Sequence, residues 1–207
     1  MRVGDRVDWT GGLYALQESY GERFYAGGRT ALELQGFAHY AAAEAREVFL
    51  FGPAKTNLPP WFTNRDWGAR IVFTATSLLS LPMDNGLVSV TVRDYSIRIA
   101  PPEQAVLEML FHVPQKMGFD EAEQIMTGLG TLRPSVVQIL LEGCGSIKAK
   151  RLFLYFARIT GHAWLSSLDV SRVDLGSGNR QIMKGGVLDK EYRITVPQRT
   201  ENGEVQF

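Results

Sequence analysis

Ser146-Ile147-Lys148-Ala149-Lys150-Arg151-Leu152-Phe153-Leu154-Tyr155-Phe156-Ala157-Arg158-Ile159-Thr160 carries the longest helical pattern in the chain. It holds no proline or glycine, Ser146 is a residue type that accepts the first free amides of a helix, and Gly161 follows where helices end. Ala149, Leu152, Phe153 and Phe156 recur at spacings of three and four, which predicts a helix over 147–160 with a strong apolar face. Leu152, Phe153, Leu154 and Phe156 are nearly continuous, so much of the circumference wants burial, and this helix is expected to organise the C-terminal half. Lys148, Arg151, Tyr155 and Arg158 share a second face, with Lys150 nearby. That face reads either as one solvated basic stripe on a core helix or as a docking surface for an acidic protein or nucleic acid. With the preceding helix and the Gly143-Cys144-Gly145 break, the arrangement also has a superficial likeness to a helix-turn-helix.

Working outward, Arg133-Pro134-Ser135 starts a helix that runs through Leu141, and Asp120 followed by Glu123 has capping-box spacing ahead of Ile125 and Met126. Pro101-Pro102 suits the first turn of a helix that buries Val106, Leu107, Leu110 and Phe111 and ends before Pro114. Before it, Val88, Val90 and Val92 alternate with polar residues, Arg93-Asp94 turns, and Tyr95, Ile97 and Ile99 return as a hairpin. Arg70–Thr76 and the apolar run from Glu47 to Phe51, closed by Gly52-Pro53, read as further strands. Asn57 to Phe62, with Pro59-Pro60, reads as an ordered loop whose Trp61, together with Trp67, serves sheet packing or an interface.

Thr10 is placed to cap a first helix through Tyr20, and Arg29 to Gln35 makes a second. At the other end, Val173–Leu175 and Tyr192–Val196 read as strands, and the polar tail after Pro197 as frayed. The fold class is therefore α/β, more exactly mixed α+β: a mixed sheet packed with several helices, with a helix-rich C-terminal half. One domain over 1–197 and a flexible tail over 198–207 are expected.

Composition narrows the function. The chain has 207 residues, 45% hydrophobic and 21% charged, which is the profile of a folded globular protein. Lys plus Arg equals Asp plus Glu at 22 each, so no global field draws it to nucleic acid or membrane. No apolar run approaches the ~20 residues of a membrane span and no signal-peptide core opens the chain, so a cytoplasmic location without membrane partners is expected. A single cysteine, Cys144, and three scattered histidines, His39, His112 and His162, supply neither a disulfide framework nor zinc-like spacing. No metal or cofactor is expected. Gly176-Ser177-Gly178-Asn179 lacks the lysine and following helix of a phosphate loop and reads as a turn. Ser166 and Ser167 sit in no nucleophile elbow, and Asp169 and Asp174 read as capping or turn residues. No catalytic constellation emerges.

The phrases DWTGGLYALQ from Asp8, YAGGRTALELQGFAHY from Tyr25, FLFGP from Phe49, PPEQAVLEML from Pro101, LRPSVVQILLEGCGSIKAKRLFLYFARITGHAW from Leu132 and YRITVP from Tyr192 together resemble the AbiEi family of antitoxins, over nearly the whole chain. The family belongs to type IV toxin–antitoxin systems linked to abortive phage infection. The resemblance implies a C-terminal α/β domain that neutralises a nucleotidyltransferase-like toxin. It also implies an N-terminal winged helix that binds operator DNA and represses the operon. No helical DNA-reading module precedes Asp8, so the chain is expected to be the C-terminal domain alone, with operator binding carried by no residue here. In such systems toxin and antitoxin are not thought to need a stable complex, so the target is the toxin or its RNA substrate, reached directly or indirectly.

The family brings no catalytic set to map, and the function expected is that of an antitoxin and not an enzyme. The alternatives are a nucleic-acid-binding regulator acting through the basic helix and an enzyme whose site only a structure would assemble. Lys148, Lys150, Arg151 and Arg158 are the candidate contacts to partner or nucleic acid. Reversing the charge at Lys148 and Arg151 is expected to abolish neutralisation while leaving the fold intact.

Overall fold

A computed structural model describes residues 7–38, 47–79, 86–199 and 205–206, so His39 lies outside the described residues. The chain divides into two compact units, Met1–Ser77 with Pro82–Ala105, and Leu78–Leu81 with Val106–Phe207. The fold is mixed α/β. Among the described residues no helix is long and apolar enough to cross a membrane.

The first unit is built on a five-stranded mixed sheet. Helix α1 spans Trp9–Tyr20. Its cap is Asp8 rather than Thr10, because the longer-reaching carboxylate accepts from the amides of Thr10 (3.0 Å) and Gly11 (3.3 Å), while the Thr10 hydroxyl turns to Asp8 and to the Tyr95 hydroxyl. Strand β1 (Tyr25–Ala26) leads into helix α2 (Gly28–Leu34), followed by β2 (Glu47–Pro53), the short helix α3 (Pro60–Thr63), β3 (Arg70–Thr76), β4 (Val88–Val92) and β5 (Tyr95–Ile99). The order across the sheet is β3-β2-β1-β5-β4, with β2/β3 and β1/β5 parallel and β1/β2 and β4/β5 antiparallel. The hairpin register, Val92 opposite Tyr95, is the one the alternation implied, with Arg93 at φ 58° in the turn. The Asn57–Phe62 segment departs from a loop: Pro60 occupies the first helical turn, where its missing N–H costs nothing. Phe62 and Trp67 are buried with their rings 4.9 Å apart, and Trp61 is exposed.

The second unit is helical with a small sheet. Helix α4 spans Pro102–Phe111, and the division between the units falls within it. Helices α5 (Phe119–Thr127), α6 (Pro134–Gly143) and α7 (Ile147–Ile159) follow. α5 is entered from Gly118, and Asp120 with Glu121 lies in its first turn, where carboxylates favour the positive end of the helix dipole instead of capping it. Strands β6 (Arg180–Gln181), β7 (Val187–Asp189) and β8 (Ile194–Val196) form a sheet in the order β6-β8-β7. Val173–Leu175 is not one of its strands, since the Leu175 carbonyl is taken by a side chain of α7. In the tail, β9 (Gln198–Arg199) pairs antiparallel with β10 (Val205–Gln206).

α7 runs through the core of this unit. Ser146 Oγ accepts from the Ala149 amide at 3.2 Å, and every residue from Ala149 to Ala157 is buried. Phe156 packs on Phe119 with centroids 4.7 Å apart, and Phe153 on Trp164 at 5.4 Å. A helix apolar around most of its circumference has to be enclosed, and its basic residues are enclosed with it.

Candidate functional site

The four cations singled out on α7 do not form a solvated stripe. Arg151 is 1% exposed and is the largest fully buried side chain in the described chain. A guanidinium carries five N–H donors in a fixed fork and is costly to bury unless they are used. Arg151 uses four. Nε donates to the Leu175 carbonyl (2.7 Å), Nη1 to the carbonyls of Gly178 (2.8 Å) and Arg193 (3.0 Å), and Nη2 to that of Gly176 (3.2 Å). The glycine-rich segment is a carbonyl cup around this one cation. Gly176 (φ 64°) and Gly178 (φ 71°) adopt left-handed conformations that turn successive carbonyls inward, and Asp174 holds the entry by accepting from the Gly176 amide at 2.8 Å. Burial, and then the charges of Arg180 and Arg193, push the Arg151 pKa below its ordinary value.

Lys148 serves the end of another element. Its ammonium donates to the carbonyls of Phe111 (2.7 Å) and Val113 and sits 5.6 Å from the Phe111 ring centroid. Phe111 closes α4, where the last carbonyls lack helical partners and a cation is favoured. Burial lowers the Lys148 pKa. Lys150 is 3% exposed, and its amide donates to the Ser146 carbonyl at 3.1 Å in the first turn of the helix. Arg158, the exposed member of the four, pairs with Asp189 and with Glu191 (2.6 Å), and lies 5.6 and 5.3 Å from the ring centroids of Tyr155 and Tyr192. Burial works against its charge, but the Asp189 hydrogen bond and the charges of Asp189 and Glu191 outweigh it, so its pKa is raised. Beside it the Tyr192 phenol is pushed up to about 12 by burial and by Glu191.

Of the four candidate contacts, Lys150 and Arg151 are enclosed, Lys148 closes α4, and Arg158 fastens β7. Arg151 and Arg158 tie the small sheet to α7. Sequence spacing put the cations on one helix face but could not supply their partners, which lie 24 to 42 residues away for Arg151 and 31 to 33 for Arg158. A signal was present, since an arginine immediately before Leu152-Phe153-Leu154 is drawn inside with them.

The other candidates are structural. The side chain of Asp169 accepts from the Ser171 amide. His162 Nε2 meets the Met126 carbonyl at 2.6 Å and stacks on Trp164. His112 is buried, with its pKa lowered to about 4 by burial and then by Lys116 and Lys148. Among the described residues no group of three His, Cys, Asp or Glu side chains is placed to hold a metal ion.

Comparison with known families decides the assignment. Residues 45–197 match the family described as "Transcriptional regulator, AbiEi antitoxin, Type IV TA system". The chain belongs to the AbiEi antitoxin family. This is a family of antitoxins and regulators, not of enzymes. Residues 1–43 match the "Transcriptional regulator, AbiEi antitoxin N-terminal domain". That match overturns the expectation of a C-terminal domain alone: α1 and α2, read from sequence as its opening helices, lie in the N-terminal match. Among solved structures, the chain is similar to that titled "Crystal structure of RV2827C protein from Mycobacterium tuberculosis", at 14% identity and a TM-score of 0.61. The likeness covers 90% of this chain and 66% of that one, so the chain spans just under two thirds of its length and shares its fold. No curated relative matches the chain.

Proposed function

We propose that this protein is a cytoplasmic antitoxin that restrains a nucleotidyltransferase-like toxin of a type IV system in phage defence, and that it also regulates transcription of its own operon. The observation that carries the reading is the succession of two family matches, the N-terminal domain over 1–43 and the antitoxin region over 45–197. The first supports the regulatory half and the second the neutralising half.

The internal use of the α7 cations bears on how neutralisation works. Lys148, Arg151 and Arg158 already hold carbonyls and carboxylates of the same chain, which favours a partner that reads other surface. Charge reversal at Lys148 or Arg151 then acts by unfolding the second unit, and does not test contact. A promoter fusion tests regulation: the intact chain is expected to lower expression from its own upstream region, and an unchanged signal with soluble protein present would remove that half of the reading. Co-expression with the toxin of the neighbouring gene tests the other half through growth.

A further inference from the structure

The edge of a sheet offers backbone donors and acceptors to any passing strand, and edges are usually kept short, charged or covered. β6 and β7, the edges of the small sheet, are two and three residues long. β3, one edge of the five-stranded sheet, opens with Arg70, which pairs with Glu47 at 2.9 Å. β4, the other edge, has none of these devices. Val88-Ser89-Val90-Thr91-Val92 carries no charge and no proline, and among the described residues no strand pairs with its outer side.

This strand reads alike in both directions, with valines at its ends and centre and a hydroxyl residue at each place between. Its backbone makes the symmetry usable. The turn Arg93-Asp94 has two residues, so Val92 and Tyr95 are the pair that exchanges backbone hydrogen bonds across it. Bonding direction alternates along an antiparallel strand, so Val90 and Val88 also face β5, while Ser89 and Thr91 aim their N–H and C=O outward. An antiparallel copy centred on Val90 sets Ser89 opposite the partner's Thr91, and Thr91 opposite the partner's Ser89. All four of those outward groups then find partners.

The side chains agree with this register. Val88, Val90 and Val92 are half-buried on the face that bears α1, since Tyr95, opposite Val92, has its ring centroid 5.1 Å from that of Tyr14. Across the joint they continue as one valine row, with Val90 against its own copy and Val88 against the partner's Val92. Val7 and Tyr14 leave apolar surface exposed beside the row, and the Asp8–Arg93 pair at 3.6 Å keeps the start of α1 at the hairpin turn. The charges at the ends are complementary: exposed Asp94 comes to the end of the partner strand where Arg98 donates to the Leu87 carbonyl at 2.7 Å. We propose that β4 is a self-association surface, pairing with β4 of a second copy about a two-fold axis at Val90 and joining the two five-stranded sheets into one. Assembly stops at the dimer, because the two-fold pairing uses the same edge of both copies.

The test is sedimentation of the whole chain across the micromolar range, with oxidative cross-linking as a second readout. A concentration-dependent monomer–dimer equilibrium is expected. T91P removes an outward amide and leaves the β4–β5 bonds in place, as edge positions allow. It should weaken dimerisation about tenfold or more, since one backbone hydrogen bond is lost per copy, with the melting temperature of the dilute protein unchanged. S89K, which adds a charge to the exposed side of the edge, should weaken it as well. Cys144 is buried, so an introduced cysteine is the reactive one. V90C should cross-link to itself, because that pair lies on the axis at a Cα separation of about 4.5 Å, whereas V88C and V92C should cross-link when mixed and not alone. A dimer that T91P and S89K leave at full strength, or V88C joining itself as fast as V90C, would overturn the joint. A chain that stays monomeric throughout would overturn it too, and would assign the open edge to an extended segment of another protein.

Discussion

Replacing Arg151 by alanine removes one side chain and four hydrogen bonds at once. The loss is smaller than four times a charged hydrogen bond. The Arg193 carbonyl keeps the Arg180 amide as donor, and the exposed residues Gly176 and Gly178 can take water. Leu175, half-buried, carries the largest penalty. One charged hydrogen bond nets about 1.5–3 kcal/mol, and truncating a buried aliphatic stem adds about 1–2 kcal/mol. The sum is about 2.5–5 kcal/mol, a large part of the ~5–15 kcal/mol that holds a typical domain. At roughly 2–4 °C per kcal/mol for a chain of this size, the melting temperature of the second unit should fall by about 10 °C. Arg151→Lys keeps the charge but not the fork and should fall between. Hydrogen exchange locates the effect: Ile194, Val196 and the 175–180 loop should lose protection, while β2 and β5 keep theirs. An Arg151→Ala protein that melts with the wild type, or that loses protection evenly in both units, would refute the carbonyl-cup reasoning.

The neighbouring ion cluster is more exposed, so Arg158→Ala should cost about 1 kcal/mol or less. It should also raise the Tyr192 pKa above its present level of about 12, because the Arg158 charge opposes the shift, and ultraviolet titration of the phenolate reads this directly. With Tyr192 raised from 10 to about 12, the folded state holds its proton where the unfolded state has lost it, so stability falls as pH rises through that window. His112 has the opposite sign of shift, from 6.5 to about 4, and the unfolded chain takes up its proton first on acidification. Stability should decline by up to about 3 kcal/mol between pH 6.5 and 4, and urea denaturation of His112→Asn should show a flatter profile there. In the first unit, a Cβ at Gly12 would lie 2.8 Å from the Trp67 ring and 3.0 Å from that of Phe62. Gly12→Ala should therefore destabilise by about 1–3 kcal/mol, with a thermal melt as the check.

The elements legible in the sequence were those set by local pattern. The β4–β5 hairpin follows from alternation about Arg93-Asp94, and α7 from its periodicity and the Ser146 cap. The misplaced features depend on distant groups. Leu175 sits in the alternating triplet Val173-Asp174-Leu175, which looks like a strand, but its carbonyl belongs to Arg151, 24 residues earlier. Asp120 has the spacing of a cap, but the chain enters α5 two residues sooner, from Gly118. The internal partners of the α7 cations were hidden for the same reason: the helix showed its cations, and nothing local to it showed the carbonyls and carboxylates that Lys148, Arg151 and Arg158 meet. Arg180 in β6 and Arg193 just before β8, thirteen residues apart, became backbone neighbours only through the parallel pairing of the two strands.

The antitoxin reading is tested most directly by growth. Cells expressing the toxin of the neighbouring gene are compared with and without the intact chain, with protein levels and melting temperature measured in parallel. Restored growth at an unchanged toxin level is the predicted result. Continued arrest in the presence of soluble, cooperatively melting protein would contradict it.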